Sequence, residues 1–294
     1  MTHAAGETPP QPHAIGLVAY SGEPGAFAED AALAFAGDVP RRPVPGFLQV
    51  FQAVTAGEAD LGVVPIENLV NGTVRETYDL LLEHELIIVG EVVVPVRLVL
   101  AALPGQRLDE IERVYSHIQA LGQAEAFLRT RPWTTLTTYN TAGAGKLIVD
   151  RQERGSAAVL SPRAAALFGL EVLAADVQSV PDNRTRFFVI TRPGAEGTVR
   201  PAASHRVSGR RTSLAFAVRN EPGTLLRALQ ACAQRGVNLS KLESRPGHAR
   251  AWEYVFLVDI DADAADPECA AALQDLRAVS TLVRVLGTFD RAAS

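Results

Sequence analysis

Residues 182–190 place a polar cluster directly before an apolar strand, and this stretch is the part of the chain best suited to chemistry. The cluster reads Asp182-Asn183-Arg184-Thr185-Arg186. A hydroxyl, an amide and a guanidinium fixed at the mouth of a strand can bind an anion and donate hydrogen bonds. We expect Thr185 to be the catalytic residue. Strand alternation separates the faces of Thr185 and Arg186, and an ordinary strand start with a solvated Arg186 is the alternative interpretation.

Polar residues also follow several other predicted strands, each just before a helix. Ser116, Thr141 and Ser161 occupy such positions. Helix N-termini carry free N–H groups and a positive dipole end, and ligands of open α/β sheets bind beyond the carboxyl ends of the strands. We therefore expect an anion pocket there, although each residue taken alone is also a common N-cap. The candidate hydrogen-bonding side chains are Asn68, Asn71, Thr73, Ser116, His117, Gln119, Thr141, Asn183, Thr185 and Arg186.

Composition and charge exclude several classes of protein. The net charge is -5 and basic residues occur in runs no longer than a pair, which argues against nucleic-acid binding. No apolar run reaches membrane-spanning length. The two cysteines, Cys232 and Cys269, are far apart, as expected of a cytoplasmic protein. No spacing of histidines, carboxylates or glycines predicts a metal site or a nucleotide loop, so we expect no cofactor.

The order of apolar runs predicts an α/β protein in two parts. We expect residues 1–13 to be a disordered leader, because they lack the features of a signal peptide. Residues 14–192 alternate strands and helices around mostly parallel sheets, with a second lobe at about 95–175. Residues 193–211 read as a linker. Residues 212–289 follow the order βαββαβ of a ferredoxin-like unit, whose free sheet edge favours pairing with a second copy.

The ordered set of motifs resembles prephenate dehydratase followed by an ACT regulatory domain. In the first part the resemblance rests on residues 21–27, 65–68, 71–74, 116–121, 141–142 and 183–187. In the tail it rests on the turn at residues 220–225 and on Glu243-Ser244-Arg245-Pro246. It covers residues 14 to 289. It implies a catalytic part built like a type II periplasmic binding protein and a decarboxylating loss of hydroxyl that converts prephenate to phenylpyruvate, in phenylalanine biosynthesis.

The resemblance also assigns roles to individual residues. Thr185 would assist departure of the hydroxyl, and Asn68, Ser116, Gln119, Thr141, Asn183 and Arg186 would bind the substrate. Phenylalanine would bind the ACT domain as an allosteric effector, in a homodimer or homotetramer. The residues expected to bind it are Asn220, Gly223, Thr224, Leu225, Glu243, Ser244, Arg245 and Pro246.

Two alternative functions remain open at this point. Arogenate dehydratase would run the same chemistry on the aminated substrate. A non-catalytic amino-acid sensor would also combine a two-lobed cleft with an ACT module, but a sensor has no need of the polar cluster at Thr185. The family usually has alanine where Thr224 stands, and the added hydroxyl bears on the strength or identity of the effector.

Overall fold

The computed structural model describes residues 15–199, 201–246 and 254–293. The leader expected at residues 1–13 lies outside these residues. The described strands form three sheets of six, five and four strands. Two of them belong to the two lobes that enclose a cleft, and the third belongs to the C-terminal unit.

The first lobe is built mainly by the first part of the chain. Its elements are β1 (Val18–Ser21), α1 (Phe27–Ala36), β2 (Arg41–Val44), α2 (Phe47–Thr55), β3 (Leu61–Asn68), β4 (Gly72–Thr73), α3 (Arg75–Glu83) and β5 (Ile87–Pro95). Sequence analysis did not predict β2 or α2. Helix α1 packs on one face of the sheet, and α2 and α3 pack on the other.

The chain then crosses into the second lobe after Pro95, the last residue of β5. Its elements are β6 (Val99–Ala102), β7 (Arg113–Ser116), α4 (Ile118–Gln123), α5 (Glu125–Leu128), β8 (Thr134–Thr137), α6 (Thr141–Arg151), β9 (Ser156–Leu160), α7 (Pro162–Leu167) and β10 (Glu171–Ala174). The helical segment after β7 is divided into α4 and α5, because the backbone leaves the helical region at Ala124. The strand order is β10-β6-β9-β7-β8.

Strand β11 (Arg184–Thr191) returns to the first lobe and completes its sheet in the order β2-β1-β3-β11-β5. The returning strand lies between two strands that precede the second lobe in the chain. Both lobe sheets are mixed, which corrects the expectation of mostly parallel sheets. β11 runs antiparallel to β3 and β5, with Thr185 opposite Asn68. The amino end of β11 therefore meets the carboxyl end of β3 at the cleft.

The C-terminal unit has the predicted βαββαβ order. Its elements are β12 (Val207–Ala217), α8 (Thr224–Ala233), β13 (Leu239–Pro246), β14 (Tyr254–Ile260), α9 (Pro267–Val279) and β15 (Leu282–Ala292). Strand β12 begins inside the segment expected to be a linker. The antiparallel sheet has the order β13-β14-β12-β15.

The C-terminal sheet is covered on both faces. Leu214, Phe216 and Val258 pack against α8 and α9. The opposite face joins the core of the first lobe, where the Phe289 ring lies 5.6 Å from the Phe188 ring. Phe188 is on β11, so the strand that begins at the cleft also forms part of the surface against which the C-terminal unit packs. Because side chains alternate along a strand, those of β11 point in turn toward the cleft side of the sheet and toward the C-terminal unit.

Candidate active site

A cavity of about 650 Å³ lies between the two lobes. Its walls include the start of a helix from six places in the chain, so the expected gathering of helix N-termini is present. In the first lobe these are the starts of α1, α2 and α3, and in the second lobe those of α4, α6 and α7. Six dipoles with their positive ends toward one cavity favour an anionic ligand.

The helix starts of the two lobes differ in whether a side chain caps them. In the second lobe, side chains cap the first turns of α4, α6 and α7; they belong to His117, Asn140 and Ser161. In the first lobe, no side chain of the described residues caps α1, α2 or α3 at the N-cap positions Ala26, Gly46 and Val74. No N-cap side chain therefore competes with a ligand for the first-turn N–H groups of α1, α2 and α3.

Thr185 lies at the cavity wall beside Asn68, as the sequence predicts. The Asn68 Nδ2 donates to the Thr185 hydroxyl at 2.9 Å and to the carbonyl of Arg184 at 3.1 Å. The Asn68 Oδ1 accepts from the backbone N–H groups of Val70 and Asn71. These four bonds fix the orientation of the amide. Because Nδ2 occupies a lone pair of the Thr185 oxygen, the Thr185 hydrogen is free to point at a ligand.

Gln119 and Thr141 also line the cavity, together with His117. The His117 Nδ1 accepts from the backbone N–H of Gln119 at 3.4 Å. Burial lowers the pKa of His117 from its ordinary value, so the ring is neutral at pH 7 and contributes no charge. Gln119 and Thr141 are thus neutral hydrogen-bonding groups of the second lobe that face the polar pair on the first.

Ser116 and Asn183 do not line this cavity. Ser116 is fully buried, and its hydroxyl donates to the carbonyl of Val159 at 2.6 Å. This bond joins β7 to β9. Asn183 is also buried, and its amide has no hydrogen-bond partner among the described residues. Its backbone carbonyl accepts from the N–H of Val96, which ties together the two crossings between the lobes.

Arg186 points away from the cavity, which corrects its assignment to substrate binding. Its guanidinium contacts Asp259 at 2.7 Å, Glu67 at 3.0 Å and Glu91 at 3.1 Å. Burial alone would lower the pKa of Arg186, but the facing carboxylates raise it well above its ordinary value. The reason is strand alternation, since Thr185 faces the cleft and its neighbour faces the C-terminal unit.

Arg75 is the cation that sequence reasoning missed. It lines the cavity at the first residue of α3, next to Glu76, and it makes no ion pair with any described residue. Positive charge in the first turn of a helix is unfavourable, because it opposes the helix dipole. That unfavourable placement, directly after the motif at residues 71–74, is the signal that could have identified Arg75 from the sequence.

The two lobes also touch at the rim of the cavity. The Tyr139 hydroxyl donates to Glu23 at 2.8 Å. Burial, followed by this bond to a carboxylate, raises the pKa of Tyr139 to about 12. Behind it, the Ser161 hydroxyl donates to the carbonyl of Gly25 at 2.8 Å. These contacts hold the lobes together around the cavity. The described residues contain no group of three side chains able to hold a metal ion.

Comparison with known proteins decides the family. The profile of prephenate dehydratase matches residues 18–195, and that of the ACT domain matches residues 212–278. This chain belongs to the prephenate dehydratase family. Arogenate dehydratase 2 of Petunia hybrida is 38% identical over 92% of this chain and 71% of its own. The bifunctional chorismate mutase/prephenate dehydratase of Aquifex aeolicus is 36% identical over 94% of this chain and 74% of its own.

A solved structure agrees with this assignment. Prephenate dehydratase of Arthrobacter aurescens, determined in complex with L-Phe, is 34% identical, with a TM-score of 0.82 over 95% of this chain and 92% of its own. The C-terminal unit is accordingly an ACT domain. None of the described helices is both long and apolar enough to cross a membrane.

The expected effector turn of this prephenate dehydratase family member lies just before α8. Gly223 adopts a φ of 83°, a left-handed conformation that suits glycine, and Asn220 and Leu225 flank the turn. Thr224 is buried, and its hydroxyl lies 2.6 Å from the carbonyl of Arg219 and 2.8 Å from that of Glu221. The added hydroxyl is therefore occupied within the turn.

The four expected effector residues of β13 lie on two faces. Ser244 and Pro246 are exposed. Glu243 and Arg245 face the first lobe instead, where Glu243 accepts from the hydroxyl of Thr73 at 3.0 Å and Arg245 pairs with Asp79 at 2.6 Å. Two of the four side chains, those of Glu243 and Arg245, thus contact the catalytic part. Thr73 itself lines the cavity.

Proposed function

We propose that this protein converts prephenate to phenylpyruvate, with Thr185 as the catalytic residue. The observation that carries the proposal is the Thr185 hydroxyl at the wall of the cleft. Its oxygen accepts a hydrogen bond from Asn68, which leaves its hydrogen available to a ligand, and six helices present their N-termini to the same cleft. A dianionic ring compound fits such a surrounding, since the dipoles favour its carboxylates and the hydroxyl supplies a hydrogen bond. Membership of the family supports the same reaction.

The reaction needs one proton and no redox partner. The bond between the ring and its carboxylate breaks, its electron pair enters the ring, and the ring carbon–oxygen bond on the far side breaks. Carbon dioxide leaves, and the hydroxide released from the ring takes up one proton and leaves as water. Thr185 would donate a hydrogen bond to the departing hydroxyl, and the Asn68 amide that binds the Thr185 oxygen would hold it in place.

Substitution of Thr185 tests the proposal directly. Thr185→Val keeps the shape and removes the donor, so we expect kcat for prephenate to fall by about 100-fold or more, as for the loss of one transition-state donor. Thr185→Ser keeps the hydroxyl and should retain most of the activity. Thr134→Val, on exposed β8, is the matched control. Phenylpyruvate formation by the purified full chain is the measurement, and unchanged turnover by Thr185→Val would exclude Thr185 from the chemistry.

Arogenate is the second candidate substrate. Glu76 lines the cavity next to Arg75, and a carboxylate there suits the ammonium group that distinguishes arogenate from prephenate. The relative from Petunia hybrida is named for that activity. Comparison of kcat/KM for the two substrates separates the candidates. If Glu76 recognises an ammonium group, Glu76→Gln should lower kcat/KM for arogenate and leave that for prephenate unchanged or raised.

We further propose that phenylalanine regulates the enzyme through the ACT domain, bound near Gly223 and β13 in a homodimer or homotetramer. The support is the ACT fold of residues 207–292 and the phenylalanine complex of the Arthrobacter aurescens relative. Two buried free thiols, Cys232 and Cys269, suit a reducing compartment such as the cytoplasm. A calorimetric titration with phenylalanine, repeated on Gly223→Val, tests the effector site. Equal affinity of both proteins would exclude the turn.

A further inference from the structure

The inner face of β13 lies against the part of the first lobe that forms the cleft wall. Three alternate residues of the strand, Lys241, Glu243 and Arg245, each contact a residue of that lobe. Their partners are Glu67 at the end of β3, Thr73 on β4 and Asp79 on α3. One edge strand of the ACT domain therefore holds three consecutive elements next to the catalytic residue.

Thr73 is the contact that reaches the cavity. Its hydroxyl donates to Glu243 at 3.0 Å and accepts from Lys241 at 3.3 Å, so both hydrogen-bonding functions of the oxygen face the ACT domain. The same residue lines the cavity. A threonine held this way has one side-chain orientation, and that orientation depends on two residues of another domain.

A short path leads from Thr73 to the catalytic hydroxyl. Thr73 pairs with Glu67 across the β3–β4 hairpin, and Gly72 pairs with Asn68. Asn68 in turn donates to Thr185. Any shift of the hairpin relative to β11 changes the distance between the Asn68 amide and the Thr185 hydroxyl.

Charge and burial both strengthen the contact between β13 and the first lobe. The Lys241 side chain is only 12% exposed, and its amine lies 3.1 Å from Glu67. The same amine lies over the ring of Tyr78, 5.6 Å from the ring centroid. Glu67 also binds Arg186, whose guanidinium reaches Asp259 on β14. Glu67 is 36% exposed, but its two cationic partners are largely buried, so salt screens these pairs less than pairs between two exposed side chains.

We propose that Lys241 and Glu243 of the ACT domain are positioning residues for the catalytic cleft, acting on Asn68 and Thr185 through Thr73. Glu243 then belongs to the coupling between the domains and not to the effector site. An effector that shifts β13 would move the hairpin and change turnover. The proposal rests on the proposed function for its kinetic readout but not for its structural one.

A double-mutant cycle on the full chain tests the coupling. We expect Glu243→Ala and Thr73→Val each to lower kcat/KM by about tenfold, the typical effect of losing a hydrogen bond to a charged group, and the double variant to be no worse than either. Glu243→Gln keeps an acceptor and should restore most of the activity. Asp275→Ala, which removes an ion pair with Arg235 inside the ACT domain, is the matched control and should be silent. Additive losses in the cycle would overturn the proposal.

Two further measurements separate coupling from other roles. Glu243→Ala should bind phenylalanine with unchanged affinity in calorimetry while its turnover no longer responds to phenylalanine; a lost affinity would return Glu243 to the effector site. Hydrogen exchange of the amides of residues 66–75 needs no activity at all. It should accelerate in Glu243→Ala but not in Glu243→Gln or Asp275→Ala, and equal exchange in all three contradicts the proposal even if prephenate proves not to be the substrate.

Discussion

At the scale of single residues, Arg75 is a cationic side chain on the cavity wall, and we expect it to bind a carboxylate of the substrate. Its guanidinium faces the cleft without an ion-pair partner among the described residues, so it can bind a carboxylate in water-accessible surroundings. We expect Arg75→Gln to raise KM for prephenate by about tenfold and to change kcat by less than about threefold, because the interaction is the same in ground state and transition state. Arg131→Gln, exposed and away from the cavity, is the control. Steady-state kinetics give both values, and an unchanged KM would remove Arg75 from the site.

His117 gives a pH dependence with a definite sign. Burial lowers the pKa of His117 in the folded protein below its ordinary value of about 6.5. At a pH between the lowered and the ordinary pKa, His117 is therefore protonated in the unfolded chain and neutral in the folded protein. Stability from this group is present above about pH 6.5 and is lost as pH falls toward the lowered value. His117→Asn caps α4 without titrating. The melting temperature of the wild type, relative to this variant, should therefore fall on acidification, and parallel pH curves would show that His117 does not titrate in this range.

At the scale of elements, the sequence predicted what local chemistry determines and missed what tertiary contacts determine. The sequence correctly placed Thr185 and Asn68 at the cleft because a polar motif at a strand end is a local signal. Arg186 was misplaced because strand alternation predicts only that it lies opposite to Thr185, and the carboxylate that it meets there, Asp259, lies more than seventy residues later in the chain. Strand β2 was missed because it contains Pro43 and two arginines and is stable only as a sheet edge. Ser116 was expected at the cleft because a serine before a helix suits an N-cap or a ligand position, but it ends β7 and its hydroxyl bonds within the sheet.

The packing of β15 on β5 also makes a prediction at this scale. Gly287 approaches the backbone of Ile88 so closely that an added Cβ would overlap the Ile88 carbonyl oxygen. We expect Gly287→Ala to destabilise the protein by about 1–3 kcal/mol, since neither backbone can move aside freely. Gly122→Ala on α4 meets nothing within 4 Å and should be neutral or slightly stabilising. Thermal unfolding of the two variants compares them, and equal melting temperatures would show that the domains do not pack this closely.

At the scale of the whole molecule, the ACT domain presents apolar side chains that the described residues leave uncovered. Leu226 and Leu242 are 60% and 45% exposed, and β13 is an edge strand of its sheet. An open edge with apolar neighbours favours pairing with a second copy, the arrangement in which we propose that phenylalanine binds.

Leu242→Asp places a charge at that surface without touching the inner face of β13, where Lys241 and Glu243 hold the cleft. We expect sedimentation velocity to show an oligomer for the wild type and a lighter species for the variant, because burial of an unpaired carboxylate opposes association. The variant should still turn over prephenate, since its own cleft and its own β13 remain in contact, but it should lose its response to phenylalanine. Leu167→Asp, at a leucine of the second lobe that is 55% exposed, controls for the added charge. A Leu242→Asp variant that sediments with the wild type would place the interface elsewhere, and one that dissociates yet still responds to phenylalanine would place the effector within a single chain.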